Sequence, residues 1–195
     1  MNPKFIGITG GSGAGKSTLC SALLDKYPEK ISMVQLDDYF KPPSEVPVFA
    51  DRENWDHPDA LYLDKLVEDL QSLSQGKTAL INTKNERLNP DYKQTQQRKL
   101  VEFTPKKIIL VEGYLVLYDK RIRDMLATSI WLDVDHDTRW ARRVHFKDEE
   151  YEKKVIIPMY KQFAEPTKQY ADHIIDVTNM SAPKVLSQVE SIIAV

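Results

Sequence analysis

Gly10-Gly11-Ser12-Gly13-Ala14-Gly15-Lys16-Ser17-Thr18 is the stretch on which the reading of this chain turns. It completes the pattern Gly-x4-Gly-Lys-Ser, and its setting agrees. Lys4-Phe5-Ile6-Gly7-Ile8-Thr9 before it is a short β-rich run, and Leu19, Leu23 and Leu24 after it share one helical face. Strand, glycine loop and helix in that order make a phosphate cradle. The glycines let the backbone take left-handed angles and approach phosphate oxygens closely. The loop N–H groups then form a nest at the positive end of the following helix. ATP is therefore expected on Gly10, Gly11, Ser12, Gly13, Ala14, Gly15, Lys16, Ser17 and Thr18, with Lys16 at the β- and γ-phosphates and Ser17 holding Mg²⁺.

Outward from this loop, apolar runs alternate with helical patterns. Residues 31–36 form a second apolar run that ends at Asp37-Asp38, and residues 108–111 form the clearest buried strand, ending at Glu112-Gly113. Ser129-Ile130-Trp131-Leu132-Asp133-Val134 is a further strand, Asp172-His173-Ile174-Ile175-Asp176-Val177 the last. Helices are expected to open at Asp56-His57-Pro58-Asp59, over 120–127 and 137–146, along a long stretch after that, and at Ala182–Ile193. Residues 74–105 are polar and poorly periodic, and read as an excursion with short strands. The alternation predicts an α/β fold of the P-loop NTPase kind, a mostly parallel sheet flanked by helices, in one domain over 1–195.

Composition narrows the classes. The 195 residues carry a formal charge of −2 and 42% apolar residues, enough for a real core and no general reason to bind nucleic acid. A single cysteine, Cys20, excludes an internal disulfide and a cysteine-based zinc cluster. No apolar run reaches the roughly 18–20 residues that span a bilayer. A soluble, cytoplasmic protein is expected, with no membrane and no nucleic acid among its partners.

What happens to the triphosphate follows partly from what is missing. Asn-Lys-x-Asp and Asp-x-x-Gly are absent, as are Leu-Ser-Gly-Gly-Gln and Gly-x-Gly-x-x-Gly, which disfavours a GTPase, a transporter ATPase and a dinucleotide oxidoreductase. A small-molecule kinase or a non-catalytic ATP-binding protein remains. In an open parallel sheet, ligands gather at the carboxyl ends of strands. Asp37 suits the base that orients an acceptor hydroxyl and takes its proton, and Glu112 suits Mg²⁺ support. The plainer alternatives are a turn or helix-cap residue for Asp37 and a solvated strand end for Glu112. Arg139, Arg142 and Arg143 cluster along one helical face, either as a charge-neutralising lid or as a solvated face answered by Asp148, Glu149 and Glu150.

At these residues the chain resembles the uridine kinase family, within the phosphoribulokinase/uridine kinase group. The resemblance is carried in order by the phosphate loop, Leu36-Asp37-Asp38-Tyr39-Phe40-Lys41, Asn54-Trp55-Asp56-His57-Pro58-Asp59-Ala60 and Glu112-Gly113-Tyr114-Leu115-Val116. Arg139-Trp140-Ala141-Arg142-Arg143, Pro158-Met159-Tyr160 and Pro166-Thr167-Lys168-Gln169-Tyr170-Ala171-Asp172 continue it. Asp-Asp-Tyr-Phe-Lys-Pro also resembles nicotinamide riboside kinases. The resemblance implies ATP-dependent phosphorylation of a nucleoside 5′-hydroxyl, most simply of uridine or cytidine, by a protein that often forms homo-oligomers. It makes Asp37 the catalytic base; Lys16, from the phosphate loop, and Arg142, from the lid reading, are the other expected catalytic residues. It places the acceptor on Asp37, Trp55 and Asp56, with Asp56 on the ribose diol and Trp55 on the base; His57 is a candidate contact that the match leaves undecided, and Arg139 and Arg143 join the acceptor site on the lid reading of their helical face. Read alone, Trp55 is more often a core residue, and His57 before Pro58 a turn residue.

Two departures stand out. Uridine kinases carry Tyr-Asp-x-x-x-His-x-Arg before the strand that ends in Glu112, whereas residues 81–99 here contain no histidine. The lid over 139–155 also looks short after Arg143. Nicotinamide riboside or another small hydroxyl acceptor therefore stands as the alternative substrate.

Overall fold

The computed structural model describes residues 2–142 and 148–194. Five parallel strands form the central sheet in the order β2-β7-β1-β8-β9. They are β1 (Lys4–Thr9), β2 (Ile31–Gln35), β7 (Ile108–Glu112), β8 (Leu126–Asp133) and β9 (His173–Asp176). Two antiparallel hairpins stand apart from it, β3 (Val48–Phe49) with β4 (Arg52–Glu53), and β5 (Ala79–Thr83) with β6 (Lys99–Phe103). The main helices are α1 (Lys16–Lys26), α2 (Leu63–Ser74), α3 (His136–Arg142) and α4 (Ala182–Ile193).

The continuous apolar runs of the sheet follow from burial on both faces. With a side-chain period of two, Phe5, Ile109, Val111 and Trp131 face one core with α2, while Ile6, Ile8, Leu110 and Ile130 face the other with α1 and α4. Cys20 belongs to the second core and is fully buried, which pushes its thiol well above its ordinary range. It is expected to resist a maleimide in the native protein and to react once urea unfolds the chain; a mass shift on the native protein would contradict this packing.

Several sequence expectations shift. Residues 120–127 are helical only over Lys120–Arg123, because Leu126 already pairs with Phe5 in β8. The chain at Asp56–Asp59 makes only a 3₁₀ turn over Pro58–Ala60. An antiparallel bridge from Leu61 to Phe40 keeps the backbone extended, so α2 starts at Leu63. The polar excursion holds a paired hairpin, Ala79 to Phe103 through Thr83 to Lys99, whose Ala79, Ile81 and Thr83 point inward. Helical structure also runs over 149–170, with wide π turns at Glu152–Ile156 and Tyr160–Ala164 on either side of Pro158, which has no N–H to donate. Among the described residues no helix is long and apolar enough to cross a membrane.

Candidate functional site

β1 ends at the centre of the sheet, so the loop it feeds stands between the ends of β7 and β8. Lys16 folds back into this loop and donates to the carbonyls of Gly10 (3.0 Å) and Gly11 (3.2 Å). Burial pushes its ammonium below the usual lysine range, and the carboxylates of Glu112 and Asp37 push it back up. The approach of α3 requires glycine at position 13, whose φ is +87° and where a Cβ would stand 2.5 Å from the Arg139 carbonyl; at Gly11 a Cβ would meet only the Arg139 side chain.

Glu112 closes β7 in register with Ile8 of β1 and Gln35 of β2. Its carboxyl is buried and, like Ser17, lines the cavity described below. Burial raises its pKa; the Lys16 charge opposes that rise, Asp37 adds to it, and Lys84 also opposes it. Next along the sheet, β2 passes into a 3₁₀ turn over Leu36–Tyr39 that carries both aspartates. Gln35, not Asp37, stands at the cap of that turn. The two carboxylates differ in surroundings. Asp38 has a side chain only 4% exposed and accepts from Thr83 Oγ1 (2.6 Å), the Lys84 N–H (2.9 Å) and Gln35 (3.2 Å). Burial nevertheless raises its pKa. Asp37 remains 44% exposed and pairs with Lys84 at 2.8 Å.

A cavity of about 1080 Å³ joins these groups. Ser12, Gly13, Gly15, Lys16, Ser17, Thr18, Asp37, Glu112, Trp55, Asp56 and Arg142 all line it. Its far wall is aromatic, with Phe40, Trp55, Tyr114 and Tyr151. Trp55 is half-buried in that wall, edge-on to Phe40 at 5.6 Å. Tyr114 Oη donates to the Trp55 carbonyl (3.0 Å), and Trp55 Nε1 donates to Glu53 (3.0 Å). An aromatic wall bordered by carboxylates suits a planar ring joined to a polyol.

Of the other expected residues, His57 and Arg139 lie off this cavity, while Arg142 lines it with its guanidinium engaged by backbone carbonyls. His57 stands outside the cavity wall: Nδ1 accepts the Asp59 N–H (3.0 Å), and the ring packs on Phe163. Arg139 is buried over the Tyr160 ring (4.3 Å) and borders a second cavity of about 640 Å³ behind Ser12. Arg142 donates to the carbonyls of Thr178 (3.0 Å) and Val177 (3.3 Å). Arg143 lies outside the described residues, as does most of the short segment after it. The acidic residues expected to answer the arginine face are engaged elsewhere: Asp148 and Glu150 pair with Arg52 at 2.8 and 3.0 Å.

Sequence reasoning missed the hairpin's part in this site. Arg98 of its neck donates to the carbonyls of Asp37 (2.9 Å), Asp38 (2.9 Å) and Asn82 (3.2 Å), and Thr83 and Lys84 hold the two aspartates. Tyr114 carried a weak signal, since it follows Glu112-Gly113; Lys84 and Arg98 carried none.

Comparison with known proteins bears on the arrangement as a whole. The model of the Phosphoribulokinase / Uridine kinase family matches residues 5–182. The uridine kinase of Streptococcus gordonii is 40% identical over 187 residues, which cover 89% of this chain and 86% of that one. The uridine kinase of Clostridium novyi is 38% identical over 188 residues, 90% of this chain and 88% of that one. A solved structure described as a possible uridine kinase from Bacillus stearothermophilus shares the fold, with a TM-score of 0.63 at 16% identity over 90% of each chain.

Proposed function

The chain belongs to the phosphoribulokinase/uridine kinase family, and from that premise we propose that it transfers the γ-phosphoryl group of ATP to the 5′-hydroxyl of a nucleoside, uridine or cytidine. The observation that carries this reading is one cavity holding the phosphate loop, the exposed carboxylate of Asp37 and the aromatic wall around Trp55. We assign the loop amides and Lys16 to the triphosphate, Asp56 to the ribose diol and Trp55 to the base. Asp37 accepts the hydrogen bond of the acceptor hydroxyl and takes its proton. The acceptor oxygen then bonds to the γ-phosphorus as the bond to the β–γ bridging oxygen breaks, and ADP leaves with that electron pair.

The donor set suits Mg²⁺: the Ser17 hydroxyl and the Glu112 carboxylate are hard oxygen ligands that line the same cavity, and one or two carboxylates beside substrate phosphates are what this ion takes. When bound, it supplies positive charge to the phosphate oxygens. Residues 1–195 are read as one kinase unit. A role in nucleoside salvage in the cytoplasm follows from this activity.

ADP release with Mg·ATP tests the reading against uridine, cytidine, nicotinamide riboside, ribulose 5-phosphate and pantothenate. Strongest stimulation by a pyrimidine nucleoside is expected. Silence from both pyrimidine nucleosides, with ATP still bound, would overturn the assignment; turnover on nicotinamide riboside alone would move it to the alternative acceptor.

A further inference from the structure

The β5–β6 hairpin grips the aspartate turn through one residue in two ways. The Lys84 N–H donates to Asp38 Oδ1 (2.9 Å) while its ammonium donates to Asp37 Oδ2 (2.8 Å). The amide bond on a buried carboxylate fixes where the side chain starts, so the ammonium is delivered to its neighbour. Among the described residues Asp37 Oδ1 accepts no hydrogen bond. The charge of Lys84 is also felt by Glu112, which places two lysines and two carboxylates in one electrostatic cluster. None of the other nearby cations donates to the Asp37 carboxylate among the described residues: Lys16 donates to the carbonyls of Gly10 and Gly11, Arg98 to those of Asp37 and Asp38, Arg142 to those of Val177 and Thr178, and Arg139 lies over Tyr160.

We propose that Lys84 is the positioning residue of the Asp37 base. It holds Oδ2, stops the carboxylate from rotating, leaves Oδ1 for the acceptor hydroxyl, and cancels the carboxylate charge that would otherwise repel the incoming phosphoryl group. This rests on the kinase reading above. A carboxylate beside an anionic phosphoryl group works against transfer unless a cation accompanies it, and a fixed cation needs no rearrangement during the reaction. Lys84 acts through Asp37, so its loss reduces turnover more than acceptor affinity.

The test is steady-state kinetics of Lys84→Met, Lys84→Arg and Lys84→Ala beside the wild type, with the best nucleoside acceptor. The Lys84 amide and Thr83 bonds to Asp38 do not involve the side chain of residue 84, so the hairpin keeps its attachment in all three. For Lys84→Met, kcat is expected to fall about 10- to 100-fold with acceptor KM within about threefold. Lys84→Arg should recover most of that loss, and added ethylammonium should restore part of the rate of Lys84→Ala, which a purely structural role would not allow. An active wild type with Lys84→Met within about twofold of its kcat, or a loss confined to KM, overturns the role of Lys84 alone. So does a Lys84→Ala variant that ethylammonium leaves unmoved. A wild type that phosphorylates no nucleoside overturns the kinase reading and this role with it.

Discussion

Asp37→Asn is expected to lower kcat by about 10²- to 10⁴-fold while the affinity for ATP stays within about twofold of wild type. The amide keeps the size of the carboxylate and one acceptor oxygen, so an acceptor hydroxyl still finds a partner. It has no basicity, so the proton of that hydroxyl has nowhere to go as the new phosphorus–oxygen bond forms. It also leaves the Lys84 ammonium without its ion-pair partner, 2.8 Å away. Both effects fall on the transition state. Stability should hardly move, because an ion pair this exposed contributes about 0–1 kcal/mol. Steady-state kinetics with calorimetric titration of a non-hydrolysable ATP analogue separates the two quantities. Turnover near the wild-type value would remove Asp37 from the mechanism, and a matched loss of ATP affinity would make it a binding residue instead.

Lys16→Met is expected to split function from stability. The ammonium is buried, and its two partners are backbone carbonyls of its own loop. Desolvation of that charge is the largest influence on it, so an apolar side chain of similar length removes a cost along with the hydrogen bonds. The unfolding free energy should stay within about 1 kcal/mol of wild type. Triphosphate binding has no such compensation: the β- and γ-phosphates lose their charge-assisted donor, and turnover should fall by about 10²-fold or more. Thermal unfolding monitored with and without Mg·ATP reads both effects. Wild-type stability without ATP and a much smaller upward shift with it is the expected pair; an unchanged shift would take Lys16 away from the phosphates.

How much of this could be read from the chain depended on the kind of residue. The phosphate loop was legible because glycine spacing, a preceding strand and a following helix are all local, and the backbone itself makes the site. The inner strands β1, β7 and β8 were legible because burial on both faces leaves apolar runs, while the edge strands β2 and β9 are only partly covered and were read from shorter, more mixed runs. The hairpin within 74–105 was legible only as an excursion. Its inward face is short and mixed, Ala79, Ile81 and Thr83, and its outward face carries Leu80 as well as Asn82, so no clean alternation marked it. The helix expected over 120–127 was displaced because Leu126 pairs with Phe5, a partner remote in the sequence.

The sequence by itself determined the fold class, the phosphate loop, and Asp37 and Glu112 as carboxylates at strand ends. Each of these is a property of neighbouring residues and of the rule that ligands meet a parallel sheet at its carboxyl ends. The structure puts Asp37, the aspartate singled out from the sequence, in the cavity lining, and tertiary structure alone decided that Asp38 is buried beside it and that Lys84, Thr83 and Arg98 hold the two from 45 to 61 positions away. It also decided that Arg139 packs on the phosphate loop and that Arg52 takes Asp148 and Glu150, two of the three acidic partners expected for the arginine face. The physical reason is reach. A glycine or a strand residue acts where its backbone lies, but a lysine or arginine places its charge at the end of a long flexible stem, and only the packed chain determines where that end comes to rest.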